Sequence, residues 1–211
     1  MGNTASIKSG TRIKRISLVL AALGMSIFCL GGCGKDEAKV SSISIDKEGK
    51  ISNVIYEEFS KDYYSADELK VMTENELFGY NTEYDNPKIT LEEVEVVEED
   101  ESSFAKVSMN YATASDYAYF NQVTLFYGTV EEAKEAGYKV STSLVNSNGE
   151  KIESSYLDEH ADKHIIITSE KSNVQAPFNI QYMTPGVELS GKKEAKLTSA
   201  TDEYVQLLLS K

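Results

Sequence analysis

The stretch ITLEEVEVVEEDESSFAKVSMNY, Ile89 to Tyr111, decides the fold class. From Ile89 to Val97 it is rich in β-branched residues, and further on Ala105, Val107, Met109 and Tyr111 alternate with Lys106, Ser108 and Asn110. A period of two sends successive side chains to opposite faces, so each half reads as a strand with one buried face. The link between them, Glu98 to Ser103 (EEDESS), holds four acids and suits a solvated loop. Two paired strands are expected.

Upstream, Ile43 and Ile45 alternate with serines, Asp46 to Lys50 (DKEGK) supplies a turn with Gly49 free to take positive φ, and Ile51 to Phe59 resumes a strand. Ser65 and Glu68 have capping-box spacing, with Tyr64 and Leu69 placed as a hydrophobic staple, so a helix is expected from Ala66. Leu69, Met72, Leu77 and Tyr80 then share its core-facing side. Downstream, Ser115 to Asn121 suits a short helical turn and Val123 to Tyr127 a strand. A second capping box, Thr129 with Glu132, opens a helix through Ala136 that Gly137 can end in the left-handed conformation.

Beyond Gly137 strands dominate: Val140 to Val145, a turn at Asn148 and Gly149, then Ile165 to Thr168, Phe178 to Tyr182, Val187 to Leu189, Ala195 to Thr198 and Tyr204 to Leu209. In the last segment Tyr204, Leu207 and Leu208 also fit a short terminal helix. Helices are few and do not alternate regularly with strands, so the expected class is α+β: a single domain with a mainly antiparallel sheet and two or three short helices.

The N-terminus follows a different pattern. Lys8, Arg12, Lys14 and Arg15 form a basic region without acids, followed by the uncharged run ISLVLAALGMSIFCL from Ile16 to Leu30. That run is the length of a signal h-region and falls short of the ~20 residues of a membrane-spanning helix. It closes on Leu30, Gly31, Gly32 and Cys33, a lipobox arrangement in which small residues admit a signal peptidase and the cysteine sulfur carries diacylglycerol. The expected organisation is a lipoprotein signal peptide over residues 1–32, a lipidated polar tether over 33–42 and a globular domain over 43–211. An ordinary secretory peptide is the alternative, because Gly32 and Gly34 satisfy a small-x-small cleavage pattern. Cys29 lies inside the h-region, so the processed chain keeps Cys33 alone and forms no internal disulfide.

Of 21 basic residues four precede Cys33, while all 34 acidic residues follow it, so the processed chain carries a formal charge of −17. Such a surface repels nucleic acid and anionic headgroups within a Debye length of ~8 to 10 Å. Membrane attachment must then come from the lipid, and two acyl chains make it effectively permanent.

Two side-chain patterns invite metal hypotheses. His160 and His164 are four apart in DEHADKH, a spacing that shares one face of a helix, with Asp158 or Glu159 able to complete a site. Ala161 stands where a metalloprotease needs its glutamate, and a charged exposed turn is the default. Asn81, Glu83, Asp85 and Glu92 occupy positions 1, 3, 5 and 12 of a calcium-loop count. Asn86 replaces the usual glycine, Pro87 and Lys88 are atypical, and a strand follows where a second helix is required, so an ordinary loop is preferred. Glycine-rich phosphate loops and Gly-x-Ser-x-Gly elbows are missing, and no cofactor is implied. Thirteen tyrosines without tryptophan suit a sugar- or peptide-stacking face, with Tyr63, Tyr64, Tyr117 and Tyr119 as candidates, or equally strand and core positions.

The lipobox together with the acidic, strand-rich domain resembles the small lipoproteins of Gram-positive anaerobes such as clostridia. That resemblance is specific over residues 12–34 and implies one functional residue, Cys33, as the lipid attachment point on the extracytoplasmic face of the cell membrane. In a two-membrane cell, Gly34 leaves outer-membrane sorting open. The expected function is a non-catalytic binding or accessory module whose partner is an extracytoplasmic protein or a cell-wall polymer. The alternative is a small hydrolase acting on wall or nutrient polymers through carboxylates or a His160/His164 metal. A solute receptor ranks third, because 179 residues is small for two closing lobes. Replacing Cys33→Ala should abolish lipid labelling and release unprocessed or soluble protein; a variant that still incorporates labelled fatty acid rules out the anchor.

Overall fold

In the computed structural model, residues 40–61, 64–99 and 102–211 are described. The expected signal peptide, Cys33, most of the expected tether, Tyr63 and the tip of the acidic loop lie outside them. The described chain is α+β and mainly antiparallel. Its elements run β1 (Ser42–Ile45), β2 (Ile51–Glu58), α1 (Ala66–Asn81), β3 (Ile89–Glu99), β4 (Ser102–Tyr111), α2 (Ala114–Asn121), β5 (Leu125–Thr129), α3 (Val130–Glu135), α4 (Tyr156–Glu159), β6 (His164–Thr168), β7 (Asn173–Gln175), β8 (Ile180–Met183), β9 (Glu188–Leu189), β10 (Glu194–Lys196) and β11 (Val205–Leu209).

The alternation in the Ile89–Tyr111 hairpin produces its expected result. β3 and β4 pair antiparallel from Ile89 opposite Tyr111 to Glu99 opposite Ser102, with one bulge between Leu91 and Glu93. Ala105, Val107, Met109 and Tyr111 all point into the core. The hairpin forms one side of a seven-stranded sheet ordered β3-β4-β2-β1-β7-β10-β9, in which only β1 and β7 run parallel. β2 and β3 both run antiparallel to β4, so α1 is the crossover that carries the chain over it.

A second, four-stranded antiparallel sheet is ordered β5-β6-β11-β8. β11 settles the terminal segment as a strand, and its five residues are all buried. Side-chain alternation explains how an apolar run can sit in a sheet without an exposed face. Val205, Leu207 and Leu209 join Ile43, Ile45, Ile51, Val107 and Met109 in a core shared by the two sheets. Leu208 turns the other way, with Ile165 and Ile167, into a second core closed by Val130 and Ala133 of α3, Leu144, Ile152 and Leu157 of α4.

Several expectations are corrected. In α1 the buried positions are Thr73, Leu77 and Tyr80 with Leu69 half-buried, whereas Met72 is 50% exposed. Thr73 takes that place because its hydroxyl donates to the Leu69 carbonyl at 2.9 Å and is thereby satisfied inside the core. Ser65 caps the helix, accepting from the Glu68 backbone N–H at 3.3 Å, and Tyr64 stacks on Phe59 with centroids 4.9 Å apart. The Thr129/Glu132 capping box forms in full, and Gly49, Gly137 and Gly149 all adopt positive φ. α4 was not anticipated from the sequence, nor was β7.

Val140 to Val145 is not a strand; only Val145 makes isolated bridges, to Lys151 and Met183. The cause lies on β11. The buried Gln206 carboxamide accepts from Ser141 N–H at 2.9 Å and donates to the Lys139 carbonyl at 2.8 Å, holding this segment by side-chain bonds in place of a ladder. Gln206→Leu keeps the volume but leaves those two backbone groups without partners, so it should cost about 1–3 kcal/mol. Denaturant unfolding, with hydrogen exchange at the Ser141 amide accelerating in the variant, checks this.

Candidate functional site

A cleft of about 490 Å³ opens where the edges of the two sheets approach each other. Ile180 of β8 is buried and donates its backbone N–H to the Lys192 carbonyl at 2.8 Å, joining the second sheet to the β9–β10 turn of the first. Ser210 N–H donates to the Asn179 carbonyl at 2.8 Å and secures the other wall. The turn is fixed from behind: Ser190 N–H bonds the Glu194 carbonyl at 3.1 Å, and Lys193 Nζ reaches the Pro177 carbonyl at 2.8 Å.

These bonds consume backbone groups and leave side chains available. Ser147, Asn179, Lys192 and Ser210 line the cleft, and their side chains bond no other described residue. Gln181 is oriented by Tyr156, whose hydroxyl donates to Oε1 at 3.3 Å. Ile180 and Leu189 contribute apolar wall. The lining contains no carboxylate, imidazole or thiol. Lys192 is exposed and the Ser190 hydroxyl is turned to Glu194 at 3.5 Å, so they do not form the dry, mutually bonded pair that activates a serine nucleophile.

A second cleft, of about 400 Å³, lies against the β1–β2 turn. Its polar groups are already spent on one another: Asp46 Oδ1 accepts from Lys50 N–H at 2.8 Å, and Ser52 Oγ donates to Asn110 Oδ1 at 2.7 Å. It offers a ligand little that is unused.

The two histidines do not share a helical face, because α4 ends at Glu159 and His164 begins β6. His160 stacks on Tyr156, with centroids 4.0 Å apart and Nδ1 3.0 Å from the Tyr156 carbonyl oxygen. His164 stacks on Tyr127 at 5.1 Å and approaches the Lys211 carbonyl oxygen with Nδ1 at 3.1 Å. Asp158 pairs with Lys134 at 2.7 Å, and Glu159 is exposed.

The calcium-loop residues are also dispersed. Asn81 ties α1 to β3, its Oδ1 accepting from Lys88 and Ile89 N–H and its Nδ2 donating to the Ile89 carbonyl at 2.7 Å. Glu83 and Asp85 are exposed in the turn, and Glu92 sits in β3 accepting from Asn110 at 2.8 Å. Among the described residues no group of three or more His, Cys, Asp or Glu is placed to hold a metal.

The tyrosine face is corrected in part. Tyr117 is 3% exposed and its hydroxyl donates to Glu170 at 3.2 Å, whereas Tyr119 is 61% exposed. Tyr80 and Thr113 both donate to the buried Asp116 carboxylate, at 3.0 and 2.7 Å. These tyrosine–acid pairs are core interactions; beside them burial raises the Tyr111 hydroxyl to about 12, opposed by its hydrogen bond from Asn121. The cleft residues themselves carry no signal in the sequence, since isolated Asn, Gln, Ser and Lys are ordinary surface types. No family model, curated protein or solved structure matches this chain.

Burial also raises the Glu170 carboxyl above 4.5, opposed by the Tyr117 hydrogen bond. An acid with a raised folded-state pKa stabilises the fold below its unfolded value and loses that contribution as pH rises through the folded one. Glu170→Gln keeps an acceptor for Tyr117 and removes the charge. Its stability should therefore exceed that of the native protein above that range and fall less as pH rises from 4 to 7, read as Tm against pH.

Proposed function

We propose that this chain is a lipoprotein anchored through Cys33 to the extracytoplasmic face of a membrane, and that its domain is a non-catalytic binding module for a cell-wall polymer. The basic, apolar and small-residue order ending at Cys33 supports the anchor, and no helix among the described residues is long and apolar enough to cross a membrane. The observation that carries the binding role is the cleft between sheet edges, where the side chains of Ser147, Asn179, Lys192 and Ser210 have no partner among the described residues. Such groups match a hydroxyl- and amide-bearing glycan. Lys192 is the one charged group of the lining in a strongly acidic protein, so it favours a polymer carrying anionic substituents.

Sedimentation of the purified full-length chain with insoluble wall polymer tests this. Asn179→Ala combined with Lys192→Ala removes two exposed side chains without touching the core, and should weaken retention about tenfold or more, the loss expected for one charged and one neutral hydrogen bond. Equal retention of variant and native chain, or no retention of the native chain, refutes the role of the cleft.

A further inference from the structure

We propose that the outer edge of β3 is a docking site for an extended polypeptide that carries basic side chains at every second position and apolar ones between them. This proposal stands on the fold alone and is independent of the cleft. β3 is eleven residues long and ends its sheet; β4 pairs with one side of it and no described strand pairs with the other. The sheet's opposite edge, β9, has two residues. An open strand edge presents a row of backbone donors and acceptors that another strand can complete.

The two faces of β3 specify the partner. Register with β4 puts Val94 and Val96 opposite the buried Val107 and Ala105, on the core-facing side, and Glu93 and Glu95 opposite Ser108 and Lys106, on the outer side. Val96 remains 37% exposed although it lies on the core-facing side. Beside it, an added strand finds apolar surface at Val94 and Val96, bounded on the same side by Glu98, whose carboxylate accepts from Ser103 Oγ at 2.7 Å. On the outer side, Lys106 is the one cation among the described residues of β3 and β4, shared between Glu93 at 2.7 Å and Glu95 at 3.3 Å. With Glu92, which accepts from Asn110, three carboxylates lie on this side against that single ammonium.

Charge then selects among partners. A second copy pairing edge to edge places glutamates against glutamates, and like charges on adjacent strands repel. A segment alternating Lys or Arg with Val or Ile sets its cations beside Glu93 and Glu95 and its aliphatic side chains beside Val94 and Val96. The bulge at Leu91–Glu93 breaks the regular edge, so pairing is confined to the part of β3 beyond it.

The test uses the full-length chain in mild detergent with three synthetic octapeptides: alternating Lys/Val, alternating Glu/Val, and the Lys/Val peptide N-methylated along the backbone. The Lys/Val peptide should bind and slow hydrogen exchange at β3 amides between Val94 and Glu98. The Glu/Val and N-methylated peptides should bind at least tenfold more weakly. Val96→Lys, which places a charge on the core-facing row at a partly exposed position, should weaken Lys/Val binding by the same factor without lowering Tm. Absence of Lys/Val binding overturns the proposal. So does binding that tolerates N-methylation or Val96→Lys, since charge alone then explains it, and so does full protection of the β3 edge amides before any peptide is added.

Discussion

Burial of β11 on both faces is the constraint on which the rest of this structure depends. Val205, Leu207 and Leu209 face the core shared by the sheets, while Leu208 faces the second core under α3 and α4. A strand in this position must be apolar along its length or satisfy every polar group it brings inside. Gln206 is the exception that meets the second condition: its carboxamide bonds Lys139 and Ser141, and its backbone N–H bonds Thr184 Oγ1 at 2.8 Å. The irregular connection after α3 is therefore built around one buried side chain.

The placement of this sheet also creates the cleft. Because β8 is its edge strand and bonds the β9–β10 turn through Ile180 and Lys192, two sheet edges meet without merging into one ladder. The backbone groups at the junction are consumed, and the side chains around it are left to solvent. At the far end of the larger sheet the situation is reversed, for the side chains of β3 are engaged with Lys106 and Asn110 while its outer edge, tied to Asn81 at Ile89, pairs with no described strand. Charge, concentrated in acids on that strand, separates the two surfaces chemically.

Local signals were legible wherever a short-range physical rule acted alone. The β1–β2 turn, the caps at Ser65 and Thr129, the glycine after α3 and the alternation of β4 each follow from neighbours within a few residues. Misreadings arose where a distant group competed. Met72 lost its core position to Thr73, whose hydroxyl found an acceptor one turn back; Val140 to Val145 lost its ladder to Gln206. Tyr117 is a core residue paired with Glu170, more than fifty positions away, while DEHADKH keeps the charged turn expected of it by default, the chain leaving α4 at His160 to enter β6.

By itself the sequence determined the α+β class, the strand hairpins and the marked acidity, because hydrophobic period, turn chemistry and charge are properties of adjacent residues. It also carries the whole case for the lipid anchor, which rests on the order of residue types before Cys33. Only the tertiary structure decided that β11 lies between two cores, that Asn179 and Lys192 border one cleft, and that β3 ends its sheet. Each of those depends on which segments remote in the chain come to lie side by side, and pairing across such distances leaves no trace in the local pattern of either segment.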